Sequence, residues 1–171
     1  MRKLSAVLMA MLVAGNSYAA DNSNKLYVGG GLGLNSLSGI DFSDGIGFQL
    51  FGGYQLPVKL GKGSLAVEAG YMDTGNMEQS VTMVIPGVPP TVVTVTGEGK
   101  ATGLWGNAVY SLPLQDKLNL VLRAGLDIGD DDGFMFGGGL GFNLSSKTEV
   151  RAEYVIRDHV DSLQVNLVMR M

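Results

Sequence analysis

Apolar and polar residues alternate with a period of two along most of the chain beyond residue 25. Apolar side chains fill every second position, and glycine, asparagine and a few charged residues fill the positions between them. Successive side chains of a β-strand point to opposite faces, so this alternation predicts strands with one apolar and one polar face. Eight such runs begin near Leu26, Ile46, Leu65, Leu104, Leu118, Phe134, Val150 and Leu163.

The connections between these runs alternate in length. Short connections lie near residues 57–63, 113–117 and 145–147, and the others lie near 36–44, 73–98, 128–133 and 157–161. An even number of strands with short turns at one end and longer loops at the other is typical of a transmembrane β-barrel. We therefore predict an all-β fold for residues 21–171, an eight-stranded antiparallel up-and-down transmembrane β-barrel with both termini in the periplasm.

The orientation of the two faces separates a membrane barrel from a soluble one. Glycine, of which the chain has 26, crowds the polar face, where it fits a narrow lumen in which opposing side chains share space. The apolar face carries almost no charge, as lipid requires. The alternative is a soluble lipid-binding barrel, which would turn the apolar set inward.

The N-terminal segment has the three parts of a secretory signal. Arg2 and Lys3 precede an apolar stretch over residues 4–14, and small residues lead to Ala19 and Ala20. This pattern predicts a signal peptide over residues 1–20, cleaved after Ala19 or Ala20. The full chain is acidic, with 12 Lys and Arg against 16 Asp and Glu, and it has no cysteine. Nucleic-acid binding, which needs clustered cations, and thiolate metal sites are both excluded.

Six charged residues fall on the polar face of the predicted strands. A lone charge in a narrow lumen is costly and a paired one is tolerated, so we expect an ion-pair network. Glu68 and Glu153 are expected to pair with the arginines of this set, and either a filled lumen or a gate for small ions would result. The six residues are Glu68, Arg123, Asp127, Arg151, Glu153 and Arg170.

The long connection near residues 73–98 contains two β-branched segments that flank a turn rich in proline. These segments predict a surface hairpin that extends the barrel wall beyond the bilayer. An exposed strand edge can recruit a partner strand, which is a physical basis for adhesion; a variable loop without that role is the alternative. The hairpin side chains of interest are Val81, Met83, Ile85, Val92 and Val95.

The stretch DGFMFGGGLGFNLSSKTEVRAEY, followed by a last alternating strand, resembles the small eight-stranded outer-membrane barrels. That family includes the membrane domain of outer-membrane protein A, the outer membrane protein X and Ail group, and the opacity-type proteins. The resemblance implies outer-membrane lipid, lipopolysaccharide and the outer-membrane assembly machinery as partners, no cofactor, and a host or matrix surface ligand for the loops. Members usually end in an aromatic residue, which that machinery reads, whereas this chain ends in Met171.

Lipid A-modifying enzymes share this architecture, and the resemblance to them implies a catalytic histidine with a serine. The only histidine is His159, three residues before Ser162, with Asp158 and Asp161 beside it. A histidine and serine near an acid are the minimum for acyl transfer, but a loop histidine is more often plain surface. We therefore predict a non-enzymatic protein with an envelope or surface-interaction role. A narrow channel, a lipid A-modifying enzyme and a soluble lipid-binding barrel are the alternatives.

Overall fold

The computed structural model describes residues 25–37, 44–86 and 91–171, apart from several side chains between residues 78 and 96. The predicted signal peptide, residues 1–20, lies outside the described residues. The strands are β1 (Leu26–Leu37), β2 (Gly45–Leu60), β3 (Gly63–Asp73), β4 (Met77–Ile85), β5 (Thr91–Gly99), β6 (Thr102–Pro113), β7 (Leu118–Gly129), β8 (Gly133–Asn143), β9 (Thr148–Ile156) and β10 (Val160–Arg170).

Eight of these strands form one closed antiparallel barrel, in the order β1-β10-β9-β8-β7-β6-β3-β2. The first and last strands close it, with Leu32 opposite Val165. Strands β4 and β5 form a separate two-stranded sheet between β3 and β6. The predicted eight-stranded barrel is confirmed. Among the described residues, no helix is long and apolar enough to cross a membrane.

The apolar set lies on the outside of the barrel. Leu32, Ile128 and Phe134 are 64%, 69% and 70% exposed, whereas Glu68, Arg123 and Glu153 of the polar set are buried inside. A soluble barrel would place these sets the other way round, so the soluble lipid-binding alternative is wrong. An apolar outer wall around a polar lumen is the arrangement that a bilayer stabilises.

The first short turn is tighter than the sequence predicts. Strand β2 continues to Leu60, and the turn to β3 consists only of residues 61 and 62. The register between β2 and β3 shifts between Gln55 and Lys59, and Pro57 lies within this irregularity. Proline has no N–H to donate to the ladder, so a bulge is where a strand accommodates it.

The predicted hairpin forms, but it does not continue the barrel strands without a break. Residues 74–76 separate β3 from β4, and Gly75 has a φ of 73° there, in the left-handed region that favours glycine. Hydrogen bonds between Thr74 and Ala101 join the segment after β3 to the segment before β6 at this break. The Thr74 N–H donates to the Ala101 carbonyl at 3.0 Å, and the Thr74 hydroxyl accepts from the Ala101 N–H at 2.9 Å.

Glycine makes room for the aromatic side chains inside the barrel. A Cβ at Gly53 would fall within the ring of Tyr27, and one at Gly70 would fall between Phe51 and Trp105. The rings of Phe51 and Trp105 pack with their centroids 5.6 Å apart. An interior of eight strands is just wide enough for side chains to fill, so large rings need glycine opposite them.

The outward set gives a direct test of the membrane barrel. We expect Leu122→Arg, in the middle of β7, to lower the free energy of unfolding from lipid vesicles by about 2–4 kcal/mol, because it places a cation in the hydrocarbon. Leu114→Arg is the matched control, since Leu114 is similarly exposed but lies in a turn. Urea titration of both variants measures the difference; equal stability of the two would contradict the orientation of the wall.

Candidate functional site

Glu68 lies at the centre of a group of buried charges in the lumen. Its Oε1 is 2.7 Å from Arg151 Nη1 and accepts a hydrogen bond from the Tyr27 hydroxyl at 2.8 Å. Its Oε2 is 3.5 Å from Arg123 Nη2. The guanidinium of Arg151 also lies over the ring of Tyr27, 5.6 Å from the centroid. One carboxylate on β3 therefore joins strands on the opposite sides of the barrel.

Arg123 and Glu153 form the second buried pair. Arg123 Nη2 is 2.6 Å from Glu153 Oε2, and Arg123 Nε donates to the same oxygen at 2.7 Å. Both side chains are 0% exposed. Asn166 donates to the other oxygen of Glu153 at 3.2 Å and accepts from Gln49 at 2.7 Å. A buried pair with further polar partners is the arrangement that offsets the cost of desolvation.

A third carboxylate, Glu149, extends the group toward the short turns. Glu149 Oε2 lies 2.9 Å from Arg170 Nη2 and 3.3 Å from Arg151 Nη2. Arg170 was expected to pair with Glu68 or Glu153, and the structure places it beside Glu149 instead. The alternation of the sequence shows that Arg170 faces inward but not how far along the barrel axis it lies.

Asp127 lies apart from this group, near the end of the barrel that carries the longer loops. Its Oδ2 is 3.1 Å from Arg157 Nε. Arg157 Nη1 also donates to the Ser162 hydroxyl at 2.7 Å, and that hydroxyl donates to Asn35 Oδ1 at 2.6 Å. Glu149 and Arg157 were not singled out from the sequence. Continuing the run predicted from the sequence, residues 150–156, by one residue at each end would have found both.

The lumenal charges balance. Four arginines meet four carboxylates, and each of these arginines lies within 3.3 Å of at least one carboxylate. At the level of Glu68, Arg123 and Glu153 the side chains are 0% exposed, so side chains fill this cross-section. What the arrangement provides chemically is a set of buried ion pairs that joins strands across the lumen.

The histidine and serine considered for acyl transfer belong to different environments. The ring of His159 is 69% exposed at the barrel rim, and its Nδ1 is 2.9 Å from Asp131 Oδ1. Ser162 is 2% exposed and is hydrogen-bonded to Asn35 and Arg157 inside the lumen. The hydrogen bond to Asp131, followed by the charge of Asp158, raises the pKa of His159 above its usual value. Within the described residues no three His, Asp or Glu side chains cluster as a metal site.

The hairpin β4–β5 pairs over its full length, from Met77 opposite Gly99 to Ile85 opposite Thr91. Ile85 and Val92 are 54% and 62% exposed. The side chains of the three other residues singled out, Val81, Met83 and Val95, lie outside the described part of the chain. The backbone of the hairpin is thus an extended ribbon beyond the barrel.

The sequence from residue 5 to residue 167 matches the model of the outer membrane protein beta-barrel domain family, and the chain belongs to this family. No curated protein matches the sequence significantly.

Several solved structures share the fold at low sequence identity. A de novo designed transmembrane β-barrel is 14% identical, with a TM-score of 0.53 over 86% of this chain and 96% of the design. The outer membrane enzyme PagL is 13% identical, with a TM-score of 0.50 over 85% of this chain and 99% of PagL. Ail, the attachment invasion locus protein of Yersinia pestis, is 13% identical, with a TM-score of 0.46 over 85% of this chain and 95% of Ail. These similarities concern the fold alone.

Removing one member of the buried group tests how much the barrel depends on it. We expect Arg123→Ala to lower the free energy of unfolding by about 3–5 kcal/mol, because Glu153 would be left buried without its main partner. Arg170→Ala is the control, since this side chain is 27% exposed and its removal leaves Glu149 with Arg151. Urea titration in vesicles measures both; equal losses, or unchanged stability of Arg123→Ala, would contradict the buried network.

The single histidine permits a clean titration. By NMR of a protein purified without a histidine tag, we expect His159 to titrate above about 6.5. Asp131→Asn should return its pKa toward that value, and Asp130→Asn should not, because Asp130 accepts from Thr102 instead. Because folding raises the pKa of His159, the contact of its protonated ring with Asp131 stabilises the fold fully below pH 6.5. This stabilisation is lost as the pH rises through the pKa of the folded state. A wild-type pKa at or below 6.5 would contradict the contact.

Proposed function

We propose that this protein is a non-enzymatic, non-conducting barrel of the outer membrane with both termini in the periplasm, and that it acts at the cell surface through the hairpin β4–β5. The observation that carries the proposal is the open edge of this hairpin. Each of its two nine-residue strands pairs with the other, and no further strand joins the two-stranded sheet among the described residues. The physical role we assign to it is adhesion by strand addition.

An unpaired strand edge presents a row of backbone donors and acceptors. Such an edge binds an extended segment of another protein through main-chain hydrogen bonds, and side-chain pockets add selectivity. Natural proteins usually protect exposed edges with lysine or proline inside the strand. Neither β4, with the sequence MEQSVTMVI, nor β5, with the sequence TVVTVTGEG, contains either residue. Ile85 and Val92 add exposed apolar surface near the tip.

The buried ion pairs of the lumen favour this role over that of a channel. An ion that crossed the barrel would have to part Arg123 from Glu153 and Arg151 from Glu68, which are joined at 2.6 and 2.7 Å. Separating one buried pair leaves two uncompensated charges, and each costs several kcal/mol in a medium of low dielectric constant. We therefore assign the network to stability and closure.

The separation of His159 from Ser162 at the barrel rim favours this role over that of a lipid A-modifying enzyme. A nucleophilic serine needs its base within hydrogen-bonding distance. The hydroxyl of Ser162 instead donates to Asn35 and accepts from Arg157, while the ring of His159 bonds to Asp131. These partners hold the two side chains in separate networks.

Replacing the outer part of the hairpin tests the proposal. Gln79 and Gly97 are cross-strand partners, so Asn-Gly in place of residues 80–96 closes the ribbon with a two-residue turn and preserves the base of the hairpin. We expect this variant to insert and to show the same mobility shift on heating in SDS as the wild type. Bacteria that express it should lose attachment to cultured epithelial cells and to a basement-membrane matrix.

A point variant gives the matched control. Val92→Lys places a charge on the exposed surface of β5 and should weaken attachment, whereas Val58→Lys, near the short turns, should not. Attachment that survives the hairpin replacement would refute the proposal, as would a wild-type protein that confers no attachment on either surface.

A further inference from the structure

The lumen widens at the end of the barrel that carries the short turns. There it forms an open cavity of about 730 Å³, which we call the vestibule. Tyr27 and Arg151 line the vestibule beside the buried ion pairs, and the turns β2–β3, β6–β7 and β8–β9 contribute to its wall. The cavity is therefore open at the end with the short turns, and the ion-pair network lies at its inner end.

The lining of the vestibule carries an excess of positive charge in an acidic protein. The chain has a formal net charge of −4, yet five cationic side chains and one carboxylate, Asp116, line this cavity. Arg151 and Arg170 are paired with Glu68 and Glu149, so the three lysines supply the excess. A concave surface with charges of one sign focuses the field and concentrates counter-ions. The cations are Lys59, Lys62, Lys117, Arg151 and Arg170.

The remaining lining is suited to hydroxyl groups. Serine hydroxyls and asparagine amides, which can both donate and accept, come from Ser64, Ser111, Ser145, Ser146, Asn119 and Asn143. Two buried atoms of lining residues, Arg151 Nε and Asn143 Oδ1, have no hydrogen-bond partner among the described residues. The Arg151 side chain is 4% exposed. These two atoms are therefore available for hydrogen bonds to a polar ligand in the vestibule.

We infer that the vestibule binds a small, water-soluble, polyhydroxylated anion of the sugar-phosphate class. The lysines attract and hold the phosphate groups, and the serine and asparagine side chains bind the hydroxyl groups. The cavity volume lies within the range of about 300–1,000 Å³ that is usual for small-molecule sites. A phospholipid carries the same phosphate, and the vestibule also has apolar lining residues, Ala66, Pro113 and Leu144, so the test includes a phospholipid beside the soluble ligand.

Calorimetry with the refolded full-length barrel in detergent tests this site. The probes are fructose 1,6-bisphosphate, inorganic phosphate and glucose. We expect fructose 1,6-bisphosphate to bind at least about tenfold more tightly than phosphate, because it engages both kinds of lining group, and we expect glucose not to bind. Binding should weaken in 1 M salt, where the screening length falls to about 3 Å.

Two variants separate a built site from general attraction to a basic surface. Lys59→Ala, Lys62→Ala and Lys117→Ala combined should weaken binding of fructose 1,6-bisphosphate about tenfold or more, because three rim cations are lost. Ser111→Phe changes no charge but fills part of the vestibule, and it should weaken binding by a similar factor. Lys147→Ala is the control, because Lys147 lies in a short turn but does not line the cavity.

Several results would overturn the inference. One is the absence of binding of fructose 1,6-bisphosphate to the wild type. Another is full binding by Ser111→Phe alongside loss in the triple lysine variant, which would indicate diffuse attraction. A third is an equal effect of Lys147→Ala. Tighter binding of a short-chain phosphatidylglycerol than of fructose 1,6-bisphosphate would overturn the assignment to a soluble ligand. The mobility shift on heating in SDS verifies that each variant is folded.

Discussion

The closure of β1 onto β10 is the constraint on which the rest of this structure depends. A bilayer offers no hydrogen-bond partners, so a sheet can cross it only if every strand has two neighbours. Closure fulfils this condition and at the same time divides every strand into an outer and an inner face. The apolar side chains then face the lipid. The polar side chains must therefore face the lumen, which eight strands make narrow.

That lumen explains both the glycines and the ion pairs. Its width cannot hold a large side chain at every inward position, so the ring of Tyr27 lies over Gly53 and the ring of Phe51 over Gly29. The charges that remain are too enclosed to be solvated. They are stable only as pairs, and Glu68 therefore bonds to Arg151 across the barrel while Glu153 bonds to Arg123. The same enclosure that makes the pairs necessary places them across the interior of the barrel.

The sequence predicts which side chains face the lumen, but it does not predict how far along the barrel axis each of them lies. A period of two shows which side chains point inward, and it identified the barrel, its eight strands and the outer hairpin. It does not show the register between strands, which decides which inward charges meet. Arg170 pairs with Glu149 for this reason, and Asp127 finds Arg157 at the other end. The break at residues 74–76 was missed because it depends on the left-handed backbone of Gly75 and on bonds between Thr74 and Ala101.

The buried ion pairs lie between two chemically different ends of the molecule. The end with the long loops carries the hairpin and the acidic rim around Asp131 and His159, whereas the other end carries the lysines of the vestibule. The ion pairs lie between these ends, so the proposed ligand of the vestibule and the proposed partner of the hairpin would act on separate surfaces. The proposed vestibule site and the proposed hairpin surface share no residue, so a substitution in one leaves the side chains of the other in place.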